Sequence, residues 1–88
     1  MATVIDLLEI KGPTLVFPHS SNVTRSRHGA MRELRIQHQG RPYRILYAFD
    51  PSRMALLILG GDKTGDDRWY YKNVPIADRE FDEHLKSF

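Results

Sequence analysis

Five side chains could bind and activate a phosphodiester: Arg35, Arg44, Lys63, Arg68 and Tyr70. RNA cleavage needs no cofactor, because the substrate's own 2′-hydroxyl attacks the adjacent phosphorus and the protein aligns it and neutralises the developing charge. Arginine stays protonated and acts electrostatically, whereas a lysine, or a tyrosine whose pKa nearby cations lower, assists proton transfer. Taken singly, Arg35 and Arg44 are more simply exposed strand residues, and Tyr70 is more simply a core aromatic residue with its hydroxyl at the surface. As a set on one face, they favour a functional role over a structural one.

The positive charge is concentrated in one part of the chain. The block from Arg25 to Arg44 holds six arginines and one acid, Glu33, so its net charge is 6 − 1 = +5, against +2 for all 88 residues. From Asp62 to Phe88, five bases and seven acids give 5 − 7 = −2. A solvated arginine surface is the plain interpretation, but a planar guanidinium binds phosphate bidentately and stacks on bases. The block therefore favours a polyanionic partner.

The elements that must position these residues begin with a predicted antiparallel meander. Residues 31–37 and 43–49 alternate between two faces, as strands do, and residues 39–42 supply the turn between them. Asp50-Pro51-Ser52-Arg53 is typical of a type I turn, and the apolar run 54–59 predicts a central strand buried on both faces. Short connections make the three strands antiparallel neighbours.

Helices are predicted on either side of the strands. Residues 3–13 indicate the end of a short helix, which Gly12 and Pro13 stop, and residues 14–30 are interpreted as a loop. Residues 73–88 predict a second helix with Pro75 in its first turn. The segment 68–72 remains open between strand, turn and helix.

Several classes of function lack support in the sequence. The chain has no cysteine, and its four histidines show no metal-ligand spacing, so we expect neither a metal nor a cofactor. The Gly60-Gly61 pair does not continue into the pattern of a nucleotide-binding loop. No segment approaches the roughly 20 apolar residues of a membrane span, and Met1 to Asp6 lacks the basic region of a signal peptide. We expect one cytoplasmic domain that includes residues 1–88.

Three groups of motifs resemble the HigB branch of the RelE/ParE toxin superfamily and its phage-derived relatives. They are Arg32-Glu33-Leu34-Arg35, Tyr43-Arg44-Ile45-Leu46-Tyr47-Ala48-Phe49, and the run from Leu57 through the glycine loop to Tyr70. The segment Pro75-Ile76-Ala77-Asp78-Arg79 strengthens the match. The resemblance covers essentially the whole chain.

The resemblance implies an α+β fold: a small antiparallel meander with the N-terminal and C-terminal helices packed on one face and mRNA on the other. It implies a type II toxin–antitoxin toxin that cleaves mRNA without a metal, usually on the ribosome, and inhibits translation. A cognate antitoxin with a helix-turn-helix domain would restrain it. Two alternatives stay open: an inactive, shortened toxin that only binds antitoxin or RNA, and a ParE-like gyrase inhibitor.

Site residues follow from the same motifs. The resemblance implies that Arg44 contacts the scissile phosphate and that Lys63 and Tyr70 complete the catalytic set. Trp69 and Tyr71 stay open as alternatives to Tyr70, which would stack on the substrate or activate it. Arg35, Arg41, Arg68 and Trp69 are predicted as further contacts to RNA.

One departure separates this chain from the family pattern. Family members usually begin with a strand and a helix before the segment that starts here at Thr3. Their absence would leave a sheet edge unpaired, which predicts a homodimer or reliance on a partner.

Overall fold

In the computed structural model, which describes residues 3–88, the strands form one antiparallel sheet in the order β1-β2-β3-β4. Met1 and Ala2 lie outside the described residues, and they belong to the segment Met1 to Asp6 that lacks the basic region of a signal peptide. The elements are α1 (Val4–Lys11), a 3₁₀ turn (Gly12–Thr14), β1 (Ser20–Asn22), β2 (Arg32–His38), β3 (Arg41–Phe49), β4 (Ala55–Asp62) and α2 (Trp69–Leu85). The α+β class and the predicted meander are confirmed.

The two helices contact opposite faces of the sheet. On β3, Tyr47 packs with Leu8 of α1, whereas its neighbours Leu46 and Ala48 pack with Phe81 of α2. Successive strand residues point to opposite faces, so the two clusters are separated by the sheet itself. The expectation that both helices share one face is therefore wrong. β3 carries apolar side chains on both of its faces, so each face must be buried by a helix.

The predicted loop 14–30 contains a short strand that the sequence did not reveal. β1 pairs with β2 in the register Ser20↔Leu34 to Asn22↔Arg32. Ser20 is fully buried, and its Oγ lies 2.6 Å from the Tyr47 hydroxyl and accepts a hydrogen bond from Arg32 Nε at 3.0 Å. Ser-Ser-Asn carries no apolar alternation, so its strand conformation depends on these long-range partners.

The apolar run 54–59 forms an edge strand rather than a central one. β4 pairs with β3 on one side only, and Leu57 is 41% exposed. Among residues 3–88, no strand pairs with the outer edge of β4. The position predicted for this strand is therefore wrong, and β3 takes the interior place between β2 and β4.

Both helices differ from expectation at their start. α1 begins with a capping box, in which Thr3 Oγ1 accepts from the Asp6 amide and Asp6 Oδ2 accepts from the Thr3 amide, at 3.1 and 3.0 Å. α2 begins at Trp69, so segment 68–72 is largely helical and Pro75 lies in the helix interior. Apolar burial of Trp69 under the sheet outweighs the hydrogen bond that Pro75 cannot donate.

No helix in residues 3–88 is long and apolar enough to cross a membrane.

Candidate nucleic-acid interface

Three donors converge on one carboxylate oxygen, Oε1 of Glu33. The Tyr70 hydroxyl donates to it at 2.7 Å, Arg44 Nε lies 3.0 Å away, and Arg35 Nη1 donates at 3.3 Å. Arg44 Nε also donates to the Tyr70 hydroxyl oxygen at 3.3 Å. We refer to Glu33, Arg35, Arg44 and Tyr70 as the Glu33 centre.

Strand register and the start of α2 build this centre. Arg35 lies directly opposite Arg44 in the β2–β3 pair, and Glu33 lies opposite Leu46, so all these side chains share the α2 face. Tyr70 joins them from the first turn of α2. Its neighbour Trp69 is 4% exposed and fixes that turn against the sheet. The centre therefore rests on two strands and a helix and not on a loop.

Arg44 is buried rather than exposed, contrary to the expectation for a surface strand residue. Its side chain is 7% exposed, and Nη1 donates to the Tyr43 carbonyl at 2.9 Å. Because Glu33 is equally inaccessible, each side chain is the charge partner that makes burial of the other tolerable. Arg44 thus presents little of its guanidinium to the surface and has a structural task in addition to any contact with substrate.

Burial raises the pKa of Tyr70 above its ordinary value of 10, and the hydrogen bond to the Glu33 carboxylate acts in the same direction. The Arg44 guanidinium opposes this shift but does not outweigh it. The cation's lowering effect, which the sequence analysis expects to assist proton transfer, is thus outweighed at Tyr70. Tyr70 is therefore protonated at neutral pH and donates a hydrogen bond to Glu33.

Lys63 lies beside the centre as the sequence predicts. It follows β4, its amide donates to the Pro42 carbonyl at 3.0 Å, and its Nζ lies 5.5 Å from the centroid of the Tyr70 ring. Gly61 keeps this corner narrow, since a Cβ there would lie 3.1 Å from Trp69 Nε1. The lysine ammonium and the Glu33 centre therefore meet at Tyr70.

Three predicted RNA contacts lie elsewhere. Arg41 is exposed at the start of β3, where Nη1 pairs with Asp62 Oδ2 at 3.1 Å. Arg68 stacks on the exposed ring of Tyr71, with 4.9 Å from its Cζ to the ring centroid. Trp69 is a core residue that offers no exposed face to a base, so its predicted role in RNA binding is dropped.

Glu33 is the residue that sequence reasoning missed. It counted only as the one acid among six arginines in the basic block, yet it connects three of the predicted residues. A lone acid at a strand position sharing a face with two arginines was the available signal. The residues next to Glu33 in the sequence do not show which face of the sheet α2 packs against.

An open cleft of about 310 Å³ borders the centre, and Glu33, Arg35 and Tyr70 line it together with residues 21–25. Arginine cations, a protonated phenol and a carboxylate can neutralise a phosphate, donate a proton and accept one, respectively. Within residues 3–88 no three histidine, aspartate or glutamate side chains cluster as metal ligands would.

The fold and this cleft define a small α+β domain with a cationic, aromatic-lined site, and comparison with known proteins places it in a family. Residues 1–82 match the model of the Gp49-like phage-derived proteins (DUF891). The chain belongs to that family.

Two curated proteins of Mycobacterium tuberculosis are similar to this chain. One, named "Putative toxin HigB3", is 51% identical over 84 residues, which cover 94% of this chain and 72% of that protein. The other, "Putative toxin HigB2", is 45% identical over 86 residues, 96% of this chain and 43% of that protein. No solved structure matches. The resemblance to HigB toxins is confirmed.

Proposed function

We propose that this chain is the toxin of a toxin–antitoxin pair and cleaves single-stranded mRNA at the Glu33 centre. The observation that carries the proposal is the convergence of Arg35, Arg44 and Tyr70 on one buried carboxylate beside an open cleft. Similarity to two proteins named as HigB toxins supports the toxin assignment and an antitoxin as partner.

The chemistry requires one proton to leave the 2′-hydroxyl and one to reach the departing 5′ oxygen. The carboxylate of Glu33 accepts the proton from the 2′-hydroxyl, and the hydroxyl of Tyr70 donates a proton to the departing 5′ oxygen. The 2′ oxygen bonds to phosphorus as the bond to the 5′ oxygen breaks, which gives a 2′,3′-cyclic phosphate and a 5′-hydroxyl. Glu33 then returns its proton to Tyr70 across their 2.7 Å hydrogen bond.

The cations of the site stabilise the charge that develops in this step. Arg35 and Lys63 are the accessible ones, and Arg44 lies 3.3 Å from the Tyr70 oxygen, where it stabilises the transient phenolate. In this account Arg44 acts mainly through Tyr70 and Glu33, and Arg35 and Lys63 contact the phosphate.

The test adds the purified chain to translating bacterial ribosomes carrying a defined mRNA and analyses the ends of the products. Wild type is expected to leave 2′,3′-cyclic phosphate and 5′-hydroxyl ends, Tyr70→Phe to lose them, and the control Arg53→Gln, in the distant Asp50–Arg53 turn, to keep them. Intact mRNA with folded wild-type protein would contradict cleavage.

A second candidate is binding of antitoxin or RNA without cleavage. Its support is the burial of Arg44, whose guanidinium is already committed to Glu33, Tyr70 and the Tyr43 carbonyl. Intact mRNA together with retained RNA or antitoxin binding in the same assay would favour it.

A further inference from the structure

Tyr71 carries two arginines over its ring on the surface beside the Glu33 centre. The ring is 59% exposed, and its centroid lies 4.9 Å from Cζ of Arg68 and 5.9 Å from Cζ of Arg25. Both arginines are exposed, and within residues 3–88 neither forms an ion pair. We call these three residues the Tyr71 platform.

The platform adjoins the cleft of the candidate active site. A second cleft, of about 350 Å³, is lined by Arg25, Tyr70, Tyr71, Val74 and Pro75. Arg25 and Tyr70 also line the 310 Å³ cleft that contains Glu33. The two clefts are therefore neighbours that share Arg25 and Tyr70 in their walls.

Contacts between the loop that carries Arg25 and the helix α2 hold the platform in place. Asp78 of α2 accepts from the Ser26 hydroxyl and from the Arg27 amide, and Asp82 pairs with Arg27 and with His28 Nε2, the latter at 2.7 Å. These contacts tie the loop that carries Arg25 to the helix that carries Tyr71. The stacked groups are thus pre-positioned, which reduces the ordering cost of binding.

We propose that the Tyr71 platform binds a nucleotide that flanks the one held at the Glu33 centre, by stacking its base and neutralising its phosphate. An exposed phenol ring near two guanidiniums without ion pairs among the described residues offers a flat surface to any base and positive charge to the backbone. An acidic peptide would pair with the two arginines but would supply no base to stack on the Tyr71 ring. Single-stranded RNA supplies both phosphates and bases, so the arrangement fits it better.

This inference rests on the proposed RNA substrate but not on cleavage. It is tested by fluorescence anisotropy with a labelled single-stranded RNA of about 12 nucleotides. Its 2′ positions carry methyl groups, so it binds but cannot be cut. Tyr71→Ala is compared with Tyr71→Phe, which keeps the ring, and Arg25→Gln/Arg68→Gln with the distant control Arg53→Gln. Thermal melts verify that each variant is folded.

We expect Tyr71→Ala to weaken binding about 5- to 100-fold and Tyr71→Phe to bind like wild type. Arg25→Gln/Arg68→Gln should reduce the slope of log affinity against log salt by about 1.4, and Arg53→Gln should leave it largely unchanged. Equal binding by wild type and Tyr71→Ala would overturn the platform and leave the proposed cleavage site standing.

The remaining outcomes also separate the two proposals. No binding of the free RNA by folded wild type would overturn the platform, and the ribosome assay would still decide cleavage on its own. Normal RNA binding by the platform variants together with loss of antitoxin binding would overturn the RNA platform and make this surface a protein-docking site. Platform-dependent binding by a chain that fails to cleave mRNA would support the platform alone.

Discussion

Two buried carboxylates, Asp50 and Glu33, are held in different ways. Asp50 Oδ1 accepts from the Ser52 amide, the Ser52 hydroxyl and the Met54 amide at 2.7–3.0 Å, all within four residues, and Oδ2 lies 2.9 Å from His84 Nε2. Glu33 is held by side chains that come from β2, β3 and α2. The first arrangement shapes a turn, whereas the second exists only in the folded domain and faces a cleft.

The difference shows what each carboxylate is suited to do. Three of the groups that hold Asp50 belong to its own turn, so its main effect is to stabilise a hairpin. Glu33 concentrates two cations and a phenol at one position beside a cleft, which a turn does not require. Long-range convergence of charged groups beside a cleft is therefore the stronger indication of function.

The largest effect expected from breaking the Glu33 centre is that of Arg44→Ala. Removing one member of a buried ion pair leaves the other charge uncompensated, so the free energy of unfolding should fall by about 3–5 kcal/mol. Urea denaturation measures it, with the half-exposed Arg35→Ala as the matched comparison. A loss below about 0.5 kcal/mol, as expected for an exposed strand residue, would contradict the account.

Tyr70→Phe separates chemistry from stability. The ring and its packing remain, and loss of one hydrogen-bond donor should cost about 1 kcal/mol of folding stability. Loss of the proton donor should lower the cleavage rate about 100- to 10,000-fold. Single-turnover cleavage on programmed ribosomes measures the rate; a rate within a factor of two of wild type would remove Tyr70 from the mechanism.

Asp50 provides a prediction about pH. Its hydrogen bonds, first to His84 and then to Ser52, lower the pKa of its carboxyl from 3.8 to about 2. The unfolded chain therefore binds a proton more readily, and the stabilisation by Asp50 is complete above pH 3.8 and is lost as the pH falls through 2. Acid unfolding followed by circular dichroism should show a weaker pH dependence over this window in Asp50→Asn. An identical acid profile would be evidence against it.

The smallest effect is expected at Arg41. Its ion pair with Asp62 is exposed, so Arg41→Ala should change the free energy of unfolding by less than about 1 kcal/mol. The same variant should reduce the salt dependence of RNA binding little if Arg41 lies outside the RNA path. A large loss of RNA affinity would extend the interface to the start of β3.

Local patterns predicted the elements that local forces specify. The alternation of residues between the two faces in β2 and β3, and the turn at Asp50, depend on residues close together in the sequence. These elements could therefore be located from the sequence. β1 could not, because Ser20 is buried by Tyr47 and Arg32 from other strands. The edge position of β4 and the opposite placement of the helices also depend on which strands pair, which no short segment encodes.

The site was predicted in part for the same reason. The structure does bring together Arg35, Arg44, Lys63 and Tyr70. Strand alternation and the order of the motifs were enough to predict that these residues lie in one region. Their exposure and protonation did not follow from the sequence, because α2 covers Arg44 and desolvates Tyr70. The role of Glu33 depended on contacts across three elements and was missed.

The most direct test of the central claim is induced expression in bacteria with the 5′ ends of mRNA mapped afterwards. Wild type is compared with Arg44→Lys/Lys63→Ala, which keeps a cation beside Glu33 so that the domain folds. We predict growth arrest with new ends inside coding regions, both lost in the double variant. Normal growth with soluble wild-type protein, or a DNA-damage response without new ends, would contradict cleavage of mRNA at the Glu33 centre.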